Sequence, residues 1–183
     1  MKRKLLTATL CATALWTGIA VADHGPTTVG GASMLPERNI IENAVNSGDH
    51  TTLVAAVQAA GLVDVLQGEG PFTVFAPTDD AFADLPAGTV ETLLQPENLE
   101  QLQTVLTYHV VPGNLNREAL WEDVMEKDGT VAFKTVQGEY LTVTRNGNNL
   151  MVMDAQGNGA NITVVDVAQE NGVIHVVDRV LMP

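Results

Sequence analysis

The apolar positions of this chain change period partway along it. Between residues 37 and 127 they recur every three or four residues, the spacing of helices with one buried face. Ile40, Ile41, Ala44 and Val45 form the first such set, and Gly48 ends it. Thr51 or Thr52 is placed to cap a second helix, which turns Leu53, Val54 and Val57 inward and stops at Gly61. A short turn follows over residues 62–66. One strand interrupts this half: GPFTVFAP, residues 70–77, opens on Gly70-Pro71 and closes at Pro77. Thr78 then caps another helix, with Asp79 and Asp80 facing its positive end. A short helix covers 88–94. A longer one starts at Pro96, with Leu99, Leu102 and Leu106 as its apolar stripe and His109 three residues further along. Pro112-Gly113 breaks the chain before a helical segment near 116–127 that carries Leu120, Trp121 and Val124.

Beyond that segment the period drops to two. Residues 140–145 and 150–153 alternate and flank Asn146-Gly147, a strong hairpin signal. Strands over 161–167 and 173–182 join around Asn171-Gly172. Helices first and strands second, with one strand among the helices, predict an α+β fold rather than alternating α/β.

The start of the chain reads as an address. Lys2, Arg3 and Lys4 precede an apolar run over 5–20, and Ala20-Val21-Ala22 is a small-x-small cleavage site. Residues 1–22 are therefore expected to be a secretory signal, with the mature chain beginning at Asp23. Residues 23–36, DHGPTTVGGASMLP, are small, polar and rich in Gly and Pro, and predict a flexible tail. Residues 37–183 remain as one domain. Cys11 lies in the apolar run and leaves with the signal, so an exported protein must hold together without disulfides. The mature chain has no second apolar run of membrane-spanning length.

Charge narrows the partners. The chain has 183 residues, enough for one sizeable core, with 22 acidic and 9 basic side chains. Removing the first 22 residues takes three of the basic ones, leaving 6 − 22 = −16. Nucleic-acid binding is excluded on that balance, because counterion release needs Lys and Arg on the phosphates.

Catalytic chemistry finds little to use. The mature chain has no cysteine and two serines, Ser33 and Ser47, neither in a nucleophile-elbow context. His24, His50, His109 and His175 show no metal-ligand spacing. Asp154-x-Gln156-x-Asn158-Gly159 begins like a calcium loop, but Val165 stands at its twelfth position, so it reads as a turn. Asp79-Asp80 and Glu122-Asp123 read as capping and solvated pairs. No metal and no cofactor is implied, and an enzyme is not expected. His109 on an apolar helix stripe and His175 in an apolar strand read first as core histidines with satisfied hydrogen bonds.

Three segments in order resemble the fasciclin domain family: GPFTVFAPTDDAF (70–82) with DLPAGTVETLL (84–94), then TYHVVPG (107–113), then NGVIHVVDRVLMP (171–183). The resemblance covers 37–183. It implies a compact α+β domain, a seven-stranded β-wedge or sandwich with several helices packed on one side. It also implies a non-enzymatic, exported module for adhesion or protein interaction at a cell surface or matrix, in the periplasm or outside the cell. Animal members use a Tyr-His pair and an Asp-Ile pair for partner contact; these land on Tyr108-His109 and Asp166-Val167, with Val for Ile. Some algal members bind carotenoids, so the alternative is a carrier for an apolar molecule such as a carotenoid or lipid. Leu53, Val57 and Leu62, on the Ala/Leu/Val-rich early helices, are the candidate lining of its groove.

Overall fold

A computed structural model describes residues 26–183 of the chain. The expected signal, its cleavage site and His24 lie outside the described residues. Nine strands and seven α-helices run in the order β1 (Thr27–Val29), β2 (Ala32–Met34), α1 (Ile40–Ala44), α2 (Thr51–Ala59), α3 (Val63–Leu66), β3 (Phe72–Pro77), α4 (Asp79–Ala83), α5 (Thr89–Leu93), α6 (Leu99–Tyr108), β4 (Val110–Pro112), α7 (Arg117–Glu126), β5 (Thr130–Lys134), β6 (Tyr140–Asn146), β7 (Asn149–Met153), β8 (Gly159–Gln169) and β9 (Gly172–Val177) among the described residues. The last seven strands form one sheet in the order β4-β3-β9-β8-β7-β6-β5. Its two edges approach each other where the Val136 amide donates to the Val110 carbonyl at 2.8 Å, so the sheet is nearly closed. This is the α+β architecture that the periodicity predicts.

The two most buried strands meet in parallel across a hundred residues of chain. β3 pairs with β9 from Phe72↔Gly172 through Pro77↔Val177. Both are buried on both faces, which is why each reads as a continuous apolar run rather than an alternating one. Gly172 is required there: a Cβ would overlap the Phe72 carbonyl oxygen. β9 stops at Val177, five residues before the predicted end. The β6–β7 hairpin turns on Gly147 and Asn148, one position later than the Asn146-Gly147 signal places it, with φ +64° at Gly147.

Alternate residues of these strands serve two different cores. Val74, Val110 and Val176 point into a core roofed by the helices α1 to α6. Phe75, Val111 and Val177 point into a second core, inside the curl of the sheet and closed by α7. Leu102, Val105 and Leu106 carry α6 against the helical core, whereas Leu99 of the predicted stripe is 38% exposed.

The Gly/Pro-rich segment before residue 37 departs from the expected tail. Residues 27–34 form an antiparallel hairpin, and its Val29 and Met34 are buried. The two glycines that read as flexibility make the turn, both at positive φ. The Gly30 carbonyl accepts from the Gly48 amide at 3.0 Å, and a Cβ on Gly30 would meet Ser47 and the backbone of 48–49.

Polar side chains distant in sequence then tie the helices down. Buried Asn43 accepts from the Leu35 amide at 3.0 Å and donates to the Leu35 carbonyl at 2.7 Å and to the Gln169 side chain. Asn171 accepts from the Ile40 amide at 3.1 Å and donates to the carbonyls of Leu66 at 2.7 Å and Gly68 at 2.9 Å. The start of α2 is capped by Asp79 of α4, not by Thr51 or Thr52. Its carboxylate accepts from both of their amides, at 3.2 and 2.8 Å, and from the Thr51 hydroxyl at 2.6 Å. Those bonds hold the Asp79 carboxyl below its ordinary pKa, although burial opposes them.

Candidate functional site

Tyr108 and His109 sit where α6 runs into β4, at the junction of the two cores. Tyr108 is the last residue of the helix and is fully buried. Its hydroxyl donates to the Tyr140 carbonyl at 3.0 Å and accepts from the Ala155 amide at 2.9 Å. Burial pushes the phenol above its ordinary pKa.

His109 faces the other way. The Leu181 amide donates to its Nε2 at 3.0 Å, so Nε2 is the bare nitrogen. Nδ1 then carries the proton and donates to the Val105 carbonyl at 2.8 Å. This neutral tautomer satisfies both ring nitrogens, and burial lowers the pKa to about 4. The pair is a structural hub: it joins α6 to β6, to the β7–β8 turn and to the C-terminal residues. Neither side chain reaches the surface in this fold. Leu102, Val105 and Leu106 of α6 pack in the helical core, whereas Tyr108 packs inside the curl of the sheet with Phe75 and Leu141.

Asp166 and Val167 separate. β8 is irregular in its pairing with β9 between Val164 and Val167, and Asp166 stands there at φ +56°. The bulge sends Val167 into the helical core at 1% exposure and leaves Asp166 half-buried. The Asp166 carboxylate accepts from the Arg117 amide at 2.6 Å, in the first turn of α7, whose N-cap is Asn116. Behind the bulge lies His175, fully buried and stacked on Phe75 with centroids 5.7 Å apart. Its Nε2 donates to the Leu115 carbonyl at 2.8 Å, and burial lowers its pKa. The core-histidine reading holds for both His109 and His175. Beside the bulge, exposed Arg117 covers the ring of half-buried Trp121 at 5.5 Å. Asp166, Arg117 and Trp121 are among the solvent-reaching groups of this corner.

Leu53, Val57 and Leu62 do come together. They line one apolar void in the helical core, with a volume of about 60 Å³. The hairpin and α1 contribute Val29, Met34 and Ile41 to its wall, so the segment expected as a tail builds part of it.

The chemistry available is limited. Ser47 Oγ lies 2.8 Å from His50 Nδ1, an approach of hydroxyl and imidazole that spacing alone did not reveal. Its Nε2 has no hydrogen-bond partner and both residues are buried, so this hydroxyl does not meet solvent. Desolvation lowers the His50 pKa. Asp154 in the calcium-like run accepts from the amides of Gln156 at 3.0 Å, Asn158 at 2.8 Å and Met182 at 3.2 Å. It organises a turn, as its flanks predict. Among the described residues no group of three or more His, Cys, Asp or Glu is placed to hold a metal ion. No helix among them is long and apolar enough to cross a membrane.

The fold and this corner define a small α+β domain whose Tyr108-His109 pair and His175 support its interior. The fasciclin domain profile matches residues 48–183, and the chain belongs to the fasciclin domain family. Protein sll1483 of Synechocystis is 49% identical over 144 residues, covering 79% of this chain and 73% of that one. The cell surface glycolipoprotein MPB83 of Mycobacterium bovis is 34% identical over 167 residues, covering 88% and 68%. The structure of a FAS1 domain pair from the insect cell adhesion molecule fasciclin I matches with a TM-score of 0.71 at 16% identity, over 80% of this chain and 51% of that one. That match establishes the fold. Fasciclin domains are in general adhesion-type domains, and a relative of this chain is a cell-surface protein, which supports an extracellular role.

Proposed function

We propose that the protein is exported and acts in the periplasm or outside the cell as an interaction module, binding a surface protein or matrix component through the corner around Asp166. The observation that carries this reading is the bulge. It holds Asp166 at positive φ with its carboxylate fixed on α7, next to Arg117 and Trp121. Tryptophan and arginine are the residue types that most often anchor interfaces. Val167 supports this corner from the helical core, while Tyr108 and His109 hold α6 to β6 and to the C-terminal residues. The mature charge of −16 favours partners that are neutral or basic over anionic ones.

The test is adhesion of protein-coated beads to cells of the producing organism. Asp166→Ala combined with Trp121→Ala is expected to abolish attachment while the variant stays folded by circular dichroism, with a lowered unfolding midpoint from the lost α7 bond and Trp121 packing. Attachment at the wild-type level by that folded double variant overturns the reading. A second reading, a carrier of an apolar molecule, is favoured by one feature, the void lined by Leu53, Val57 and Leu62. At about 60 Å³ it matches a few carbons of a chain and not the body of a carotenoid.

A further inference from the structure

The wall of the void is apolar in a way that composition does not require. Four polar residues belong to it, Ser47, His50, Thr107 and His109. Ser47 and His50 bond each other. Thr107 turns its hydroxyl back onto the Gln103 carbonyl at 2.6 Å. His109 spends both ring nitrogens on Val105 and Leu181. Of these four residues only His50 keeps an unspent polar atom, its Nε2, which is buried without a hydrogen-bond partner; the surface facing the void is otherwise carbon, and water there would find at most that one partner. The void is not sealed. Val65 and Val136 in its wall are 48% and 40% exposed, and Ala44, Val54 and Leu62 are half-buried.

No Lys or Arg stands in that wall, and the histidines in it are buried and uncharged at neutral pH. Asp64 adjoins Val65 on α3, and Glu42 lies exposed on α1. A carboxylate or phosphate head would find no cation in the wall and two carboxylates on the helices that border it. We propose that this void seats the end of a hydrocarbon chain whose head group is uncharged, such as a long-chain or isoprenoid alcohol. This rests on the carrier reading and adds the charge class of the ligand. Affinity comes from burying carbon, while anionic lipids are refused by the field at the opening.

The test is a methyl NMR titration of the mature chain at pH 7 with 1-octanol, geraniol and octanoate. Saturable shifts of the Ile41, Leu53 and Val57 methyls with an alcohol, and binding of octanoate at least about tenfold weaker, are expected. Octanol against geraniol separates a straight-chain from an isoprenoid source. Val54→Leu narrows the void and is expected to weaken alcohol binding about tenfold, at an unfolding midpoint no lower than wild type. Ala44→Val repeats the test from α1. Absence of saturable shifts with all three probes overturns the carrier reading itself. Equal binding of octanoate overturns the charge selection while the carrier reading stands. Undiminished affinity in both filled variants removes the void as the seat.

Discussion

The two cores flanking β3 and β9 are built to different tolerances. Inside the curled sheet, Phe75, Tyr108, Leu120, Val124, Leu141, Val143, Val152, Ala160, Val177 and Leu181 all have zero exposure. Under the helices no apolar side chain reaches zero; Ile41 stands at 8% and Leu53 at 9%. The void and the buried ties of Asn43, Ser47, His50 and Asn171 all fall on the helical side. Backbone ladders hold strands at a fixed spacing, so side chains between them interdigitate without slack. Short helices carry no such ladder between them. Their positions depend on a few polar bonds, and the space left over becomes a void.

Truncations in the two cores should therefore differ most. Leu141→Ala is expected to cost about 4 kcal/mol and Leu53→Ala about 2 to 3, read from urea unfolding. Equal losses would erase the distinction between a tight and a loose core.

Acid should act at the junction. The folded pKa of His109, about 4, lies below its ordinary 6.5, so the unfolded chain binds the proton first. Stability from this residue is complete above pH 6.5, falls as pH drops towards 4, and is level below that. The drop is about 3 kcal/mol for His109 alone, and His50 and His175 add to it with the same sign. Urea midpoints measured across that window should fall steeply, and His109→Gln should flatten the slope. Asp79 acts lower down, its stabilisation present above the ordinary carboxylate pKa and lost as pH falls below it.

Asn171→Ala strands the Ile40 amide and two carbonyls and is expected to cost about 2 to 3 kcal/mol. Hydrogen exchange should show that loss concentrated in α1 and α3, leaving β5 to β7 protected. Tyr108→Phe removes the bonds to Tyr140 and Ala155 and should cost about 1 to 2 kcal/mol, with protection lost on the sheet side instead. At the small end, Val65→Ser, on the exposed side of α3, is expected within about 0.5 kcal/mol of wild type. A larger loss would mean that the helical core is packed more tightly at its rim than its void implies.

Much of this architecture was legible in the order of residues. Period three-to-four followed by period two announced an α+β chain, and the Thr78 cap and the turn at Asp154 follow from local chemistry. The motifs around Phe75, Tyr108 and His175 marked the family. β4 and β5 are short, β4 ends at a proline, and neither carries enough alternation to declare itself. The hairpin over 27–34 was hidden because glycine at a turn and glycine in a tail look alike until Gly30 meets Gly48.

What the sequence by itself determined is what depends on near neighbours: which segments present one apolar face, where helices can start, and where a turn needs glycine. Only the tertiary structure decided that Asp79 caps a helix 28 residues earlier, that Asn171 holds Ile40 across 131 residues, and that Tyr108 and His109 serve the interior while Asp166 stays at the surface. Those assignments depend on which distant groups arrive within about 3 Å of one another. Such distances are properties of the packed sheet and helices together, and no local window of residues contains them.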